Sequence, residues 1–210
     1  DIWVNRKRIK AMTQIKIGDQ IIGDDYPPMI VAEMSANHNQ SLDRALEIVD
    51  AAAKAGVDAL KLQTYKAETM TLDIEEGEFL ISNPNSLWKG KSLYKLYQEA
   101  YTPWEWHEPI FERCRRHGLI GFSTPFDETA VDFLEKLDIP GYKIASFELI
   151  DLPLIKYVAG TGKPMILSTG LANAEEIQEA IDVASGCGCK ELAILHCVSG
   201  YPAPAGDYNL

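Results

Sequence analysis

In the stretch Met29-Ile-Val-Ala-Glu-Met-Ser-Ala-Asn-His-Asn39 a short apolar run ends on a carboxylate and opens into a dense polar turn. Leu42, Ala45, Leu46 and Val49 then recur at helical spacing. The same sequence of events (apolar run, polar end, amphipathic helix) follows the runs at residues 59–62, 119–122, 142–145, 164–167 and 192–195. Ala130, Phe133, Leu134 and Leu137 form a second apolar helix face, and Ile177, Ala180, Ile181 and Ala184 a third. Thr102-Pro-Trp-Glu105 has the form of a capping box with proline at the first helical position, and Asp127 and Asn173 stand where N-caps belong.

Apolar strands alternating with helices predict a parallel sheet covered by helices. Six such repeats suit either a doubly wound sheet or most of a (β/α)8 barrel. No Gly-x-Gly-x-x-Gly follows the first run. Instead Glu33, Gln63, Ser123-Thr124, Ser146, Ser168-Thr169 and Ser199 close or follow the runs. A ring of functional side chains at many strand ends is barrel behaviour, so the expected fold is α/β: a (β/α)8 TIM barrel truncated after about six βα units. Two further strands are expected beyond Leu210, and the opening Asp1-Ile-Trp-Val reads as the interior of a longer protein. Residues 14–22 alternate on both sides of Gly18-Asp19, a β-hairpin expected to plug one end of the barrel. The expected organisation is therefore an N-terminal extension and hairpin over 1–27 and a partial catalytic barrel over 28–210. The long connection 64–101, with Trp88, Tyr94, Tyr97 and Tyr101, is either a functional lid or a peripheral excursion with its own aromatic core.

The formal charge of -11 argues against nucleic acid and an anionic membrane surface as partners. No apolar run reaches the ~20 residues of a membrane span and no signal peptide is evident, so a cytoplasmic location is expected. Cys114, Cys187, Cys189 and Cys197 then read as reduced thiols. The one-residue spacer of Cys187-Gly-Cys189 does not suit a zinc knuckle.

Lys61 and Lys143 each lie inside an apolar run. A buried ammonium is costly unless an anion pairs with it. The two lysines therefore point to an anion site; the alternative is that Glu33 and Glu148 pair with them internally. Ser123, Thr124, Ser146, Ser168 and Thr169 add hydroxyl donors at strand ends. Glu33 could act as base, acid or orienting acceptor. Asn37-His38-Asn39 could orient a ligand or fold on itself, and His196 reads as a core histidine.

Val31-Ala-Glu-Met-Ser-Ala-Asn-His-Asn39, Leu60-Lys-Leu-Gln-Thr64, Phe122-Ser-Thr-Pro-Phe126, Tyr142-Lys-Ile-Ala-Ser146, Gly162-Lys-Pro-Met-Ile-Leu-Ser-Thr-Gly170 and His196-Cys-Val-Ser-Gly-Tyr-Pro202 resemble, in order, motifs of the sialic acid synthase family. Residues 33–40 and the block Thr102-Pro-Trp-Glu-Trp-His107 resemble its pseudaminic acid synthase branch. The resemblance implies a (β/α)8 barrel followed by a small antifreeze-like domain, in a domain-swapped homodimer. It implies condensation of phosphoenolpyruvate with the open-chain aldehyde of an acetamido sugar, giving a nine-carbon 2-keto acid and phosphate. A divalent metal, Mn or Mg, would polarise the aldehyde while water attacks C2. By motif position Lys61, Thr124, Lys143, Ser146 and Ser168 would hold phosphoenolpyruvate. Glu33 would be catalytic, and Gln63, Ser199 and Tyr201 would face the sugar, Ser199 standing where the neuraminate branch has Asn. The motifs carrying the family's two metal-binding histidines, and the partner's arginine, do not occur in these residues, so no metal ligand and no independent activity are expected here. Two other classes compete: a lysine Schiff-base aldolase using Lys61 or Lys143, and a non-catalytic ligand-binding or assembly domain.

Overall fold

Leu60 and Leu62 pack among the side chains of the surrounding helices, while Ala59, next in the chain, packs on the other face of the sheet. Side chains alternate across a strand, and here each face has its own core. The computed structural model describes residues 14–84, 86–200 and 203–209. A hairpin of β1 (Gln14–Ile17) and β2 (Gln20–Gly23) precedes six parallel strands, β3 (Val31–Glu33), β4 (Ala59–Thr64), β5 (Ile120–Pro125), β6 (Tyr142–Ile144), β7 (Met165–Ser168) and β8 (Leu192–Leu195).

The spatial order of the parallel strands is β3-β4-β5-β6-β7-β8, the order of the sequence. A doubly wound sheet reverses direction at a switch point; this sheet never does. It is a partial TIM barrel with β3 and β8 as its edges among the described residues.

The helices between strands are α1 (Leu42–Ala55), α4 (His107–Arg116), α5 (Glu128–Lys136), α6 (Leu152–Ala159) and α7 (Ala174–Gly186). The connection after β4 also carries α2 (Ala67–Met70) and α3 (Leu93–Ala100). Val49, Ile110, Leu134, Ile155, Val158 and Ala180 from these helices are fully buried against the outward strand residues Leu60, Leu62, Tyr142, Ile144 and Leu167. Inside the barrel, Ala59, Phe122 and Ile166 meet Ile15 and Ile17 of the hairpin. The hairpin is thus the expected plug, and the Lys16 amide donates to Glu191 Oε1 at 2.8 Å to tie it in place. Its turn needs Gly18, whose φ is +61° and which lies under Ile120.

Asp127 caps α5 by accepting from Thr129 and Ala130, and Asn173 forms a reciprocal capping box with Glu176. Two expectations fail. Thr102 caps no helix: Pro103 has an extended ψ of 132°, residues Trp104–Trp106 form a 3-10 turn, and α4 starts at His107. The Thr102 hydroxyl is engaged by His38 instead. In α7, Val183 rather than Ile181 joins Ile177, Ala180 and Ala184 against the core. Among the described residues no helix is long and apolar enough to cross a membrane.

Candidate active site

The carboxyl ends of β3 to β7 carry Glu33, Lys61, Gln63, Thr124, Lys143 and Ser168. Registration decides which of them meet. Glu33 pairs with Lys61 across β3 and β4, and Gln63 with Thr124 across β4 and β5. Lys61 is 3% exposed; its Nζ lies 2.8 Å from Glu33 Oε2 and donates to Thr124 Oγ1 at 3.2 Å. The carboxylate end of the pair is 52% exposed, so Glu33 neutralises a buried cation while facing the mouth. Internal pairing therefore holds at Lys61.

It does not hold at Lys143. Among the described residues no ion-pair partner or hydrogen bond engages its ammonium. Burial pushes Lys143 below the usual lysine range, the Lys61 charge adds to that push, and Glu33, Cys197 and Glu148 oppose it. Glu148, in the 3-10 turn Phe147–Ile150, is pushed upward by burial, with Lys143 acting the other way. Its Oε2 is buried without a partner, as is Ser168 Oγ. Lys143 and Ser168 lie on paired strands, and an unpaired cation and an unpaired hydroxyl on neighbouring strands are donors suited to an oxyanion.

The loops after β6, β7 and β8 come together at Gly170. Its amide donates to Ser146 Oγ at 3.1 Å. A Cβ on Gly170 would stand 2.4 Å from Ser199 Oγ, 3.0 Å from Ser146 Oγ and 3.2 Å from the Cys197 carbonyl. Only glycine admits this approach, and it is what brings Ser146 and Ser199 into one place. Gln63 is half-buried and accepts from Ser35 Oγ at 3.5 Å. Tyr201 lies outside the described residues.

The connection after β4 returns to the same rim. Tyr97 of α3 meets Tyr65 edge-on at 5.7 Å, Tyr65 meets Phe126 at 5.4 Å, and burial and then Glu148 push the Tyr97 phenol upward. Trp88 stays 45% exposed outside this cluster.

His38 and His107 are both fully buried, His38 against the Thr102 hydroxyl and His107 against that of Thr64. No motif marks His107 as a separate candidate. Its signal lay in the spacing, since His107, Ile110, Phe111 and Cys114 form one helical face and all are buried. His196 departs from the core position expected of it. It is exposed at the end of the edge strand β8, where its Nε2 meets the Tyr208 carbonyl at 2.8 Å. All four cysteines are free thiols, and burial pushes Cys114 up to about 12. Among the described residues no three His, Cys, Asp or Glu side chains are grouped to hold a metal ion.

A model of the NeuB family matches residues 48–210. Pseudaminic acid synthase of Helicobacter pylori is 48% identical over 184 residues, 88% of this chain and 54% of that protein. The crystal structure of an N-acetylneuraminic acid (sialic acid) synthetase from Leptospira borgpetersenii superposes with a TM-score of 0.80 at 31% identity, covering 93% of this chain and 63% of that one. The spore coat polysaccharide biosynthesis protein spsE of Bacillus subtilis superposes with a TM-score of 0.74 at 37% identity, covering 91% and 49%. The chain spans about half the length of the curated relatives it matches.

Proposed function

Because the chain belongs to the NeuB family, we propose that it forms the phosphoenolpyruvate-holding part of a pseudaminic acid synthase-like enzyme. That enzyme joins phosphoenolpyruvate to an N-acetylated amino sugar and releases phosphate. C3 of the enolpyruvate forms the new bond to the aldehyde carbon, and the aldehyde oxygen takes a proton. Water adds at C2, phosphate leaves with C–O cleavage, and a 2-keto acid remains.

Lys143 carries the reading. Among the described residues it is a half-buried cation with no ion-pair partner, on the strand next to the one that ends in Ser168, whose hydroxyl is also unpaired. Lys143, Lys61, Thr124, Ser146 and Ser168 are assigned to the phosphate and carboxylate of phosphoenolpyruvate. In a site walled from water such charges act much more strongly than at the surface. Glu33 is assigned to proton transfer or to orienting a sugar hydroxyl, and Gln63, Ser199 and Tyr201 to the sugar side. The described residues do not fit a divalent metal, since they bring no three His, Cys, Asp or Glu side chains together.

A depressed lysine pKa is also what a Schiff-base nucleophile needs, which keeps an aldolase as the second reading. A product assay with phosphoenolpyruvate and a panel of acetamido sugars on the full-length protein tests the proposal. Phosphate release coupled to a nine-carbon 2-keto acid supports it. A lysine adduct trapped by borohydride with a keto substrate supports the aldolase.

A further inference from the structure

Behind the strand ends runs a chain of hydrogen bonds that touches none of the residues assigned to substrate. Ser123 Oγ lies 2.7 Å from Thr64 Oγ1, and Thr64 Oγ1 lies 2.8 Å from His107 Nε2. His107 Nδ1 lies 3.3 Å from the Pro103 carbonyl. All three side chains are fully buried.

The donors can be assigned. A carbonyl only accepts, so His107 Nδ1 carries the hydrogen and Nε2 accepts from the Thr64 hydroxyl. Thr64 Oγ1 then accepts from Ser123. A second buried histidine takes the opposite form. His38 Nδ1 accepts the Gln40 amide at 3.2 Å, so its Nε2–H donates to Thr102 Oγ1, also 3.2 Å away. This bond pins the chain immediately before Pro103, whose carbonyl anchors His107.

Thr64 follows Gln63 at the end of β4, and Ser123 precedes Thr124 on β5. Neighbouring strand residues point to opposite faces. The Thr64–Ser123 bond therefore spans the back of the same two strand ends whose front carries Lys61, Gln63 and Thr124. We propose that His107 is a positioning residue for these three side chains, acting through Thr64 and Ser123 and anchored on the Pro103 carbonyl. Small errors in strand-end placement are costly to an oriented site. The inference rests on the functional reading above only for the identity of the ligand.

Two readouts test it in the full-length protein. Nitrogen-15 histidine spectra at neutral pH should show the Nδ1–H tautomer for His107 and the Nε2–H tautomer for His38. Calorimetric titration with phosphoenolpyruvate should show His107→Phe binding about three- to tenfold more weakly, the scale of one lost hydrogen bond. His107→Gln, which keeps an acceptor toward Thr64, should restore most of that loss. Val158→Ala, a distant core variant, should lower stability and leave the affinity alone. If His107→Phe does not fold, Thr64→Val cuts the same link with nearly the same shape. Wild-type affinity in His107→Phe or Thr64→Val, no rescue by His107→Gln, or an Nε2–H tautomer at His107 overturns the inference. A wild-type protein that binds no phosphoenolpyruvate overturns the functional reading and the ligand part of this one; the tautomers still decide whether the chain of bonds exists.

Discussion

Lys61 Nζ and Glu33 Oε2 lie 2.8 Å apart, and the two residues are register partners across β3 and β4. One end of the pair is buried and the other is wet, so removing the wet end strands a charge in the barrel. Glu33→Gln should therefore lower the stability of the ligand-free protein by about 1–3 kcal/mol. Phosphoenolpyruvate should stabilise this variant more than it stabilises the wild type, because the ligand supplies the missing negative charge. Turnover should fall about tenfold or more if Glu33 also works on the sugar. Thermal unfolding with and without ligand checks the first two outcomes, and steady-state kinetics the third. A variant of unchanged stability would contradict the ion-pair account.

The hairpin is a structural plug rather than part of the chemistry. Ile17 is 1% exposed and packs with Ala59, Phe122 and Ile166 at the end of the barrel opposite the site. Ile17→Ala should cost about 2–4 kcal/mol by transfer and cavity terms, with ligand affinity retained. Denaturant unfolding together with titration separates these effects.

Gly170 is the close-approach position. Gly170→Ala places a methyl carbon 2.4 Å from Ser199 Oγ and 3.0 Å from Ser146 Oγ. Overpacking of this kind costs about 1–3 kcal/mol, and the displaced serines should weaken substrate binding. Combining it with Ser199→Ala should recover part of the stability. A single variant that binds and melts like the wild type would show that the three loops do not converge there.

Burial holds His107 at about 4, against an ordinary histidine value of 6.5. The unfolded chain then takes up the proton more readily than the folded one. The stability contribution is complete above pH 6.5 and is lost as the pH falls from there toward the folded value. From pH 7 to pH 5 the loss from this one group should be about 2 kcal/mol. His107→Gln should flatten that part of the profile. Urea unfolding at the two pH values measures it, and an equal slope in both proteins would contradict the buried-neutral assignment.

The repeat of apolar run and helix was legible because both periodicities stand in the residues themselves, as were the caps at Asp127 and Asn173. The barrel was legible from the polar residues that close successive runs. Glu33 and Glu148 were legible as possible partners of the buried lysines, but which pair would form was not. Lys61 reaches Glu33 only because their strands pair in one particular register, and Gly170 matters only because three separate loops meet over it. Thr102 shows the same limit in reverse. Its local pattern was right for a cap, but His38, distant in sequence, engages its hydroxyl. His196 is exposed beside β8, which has no further strand next to it among the described residues.

Lys143 is proposed to bind phosphoenolpyruvate as a fixed charge. Calorimetric titration of the full-length protein, wild type against Lys143→Met, tests it most directly. A charge-assisted hydrogen bond contributes roughly 1.5–3 kcal/mol, so the variant should bind phosphoenolpyruvate about ten- to a hundredfold more weakly while its fold survives. Unchanged affinity in a folded Lys143→Met protein would contradict the account.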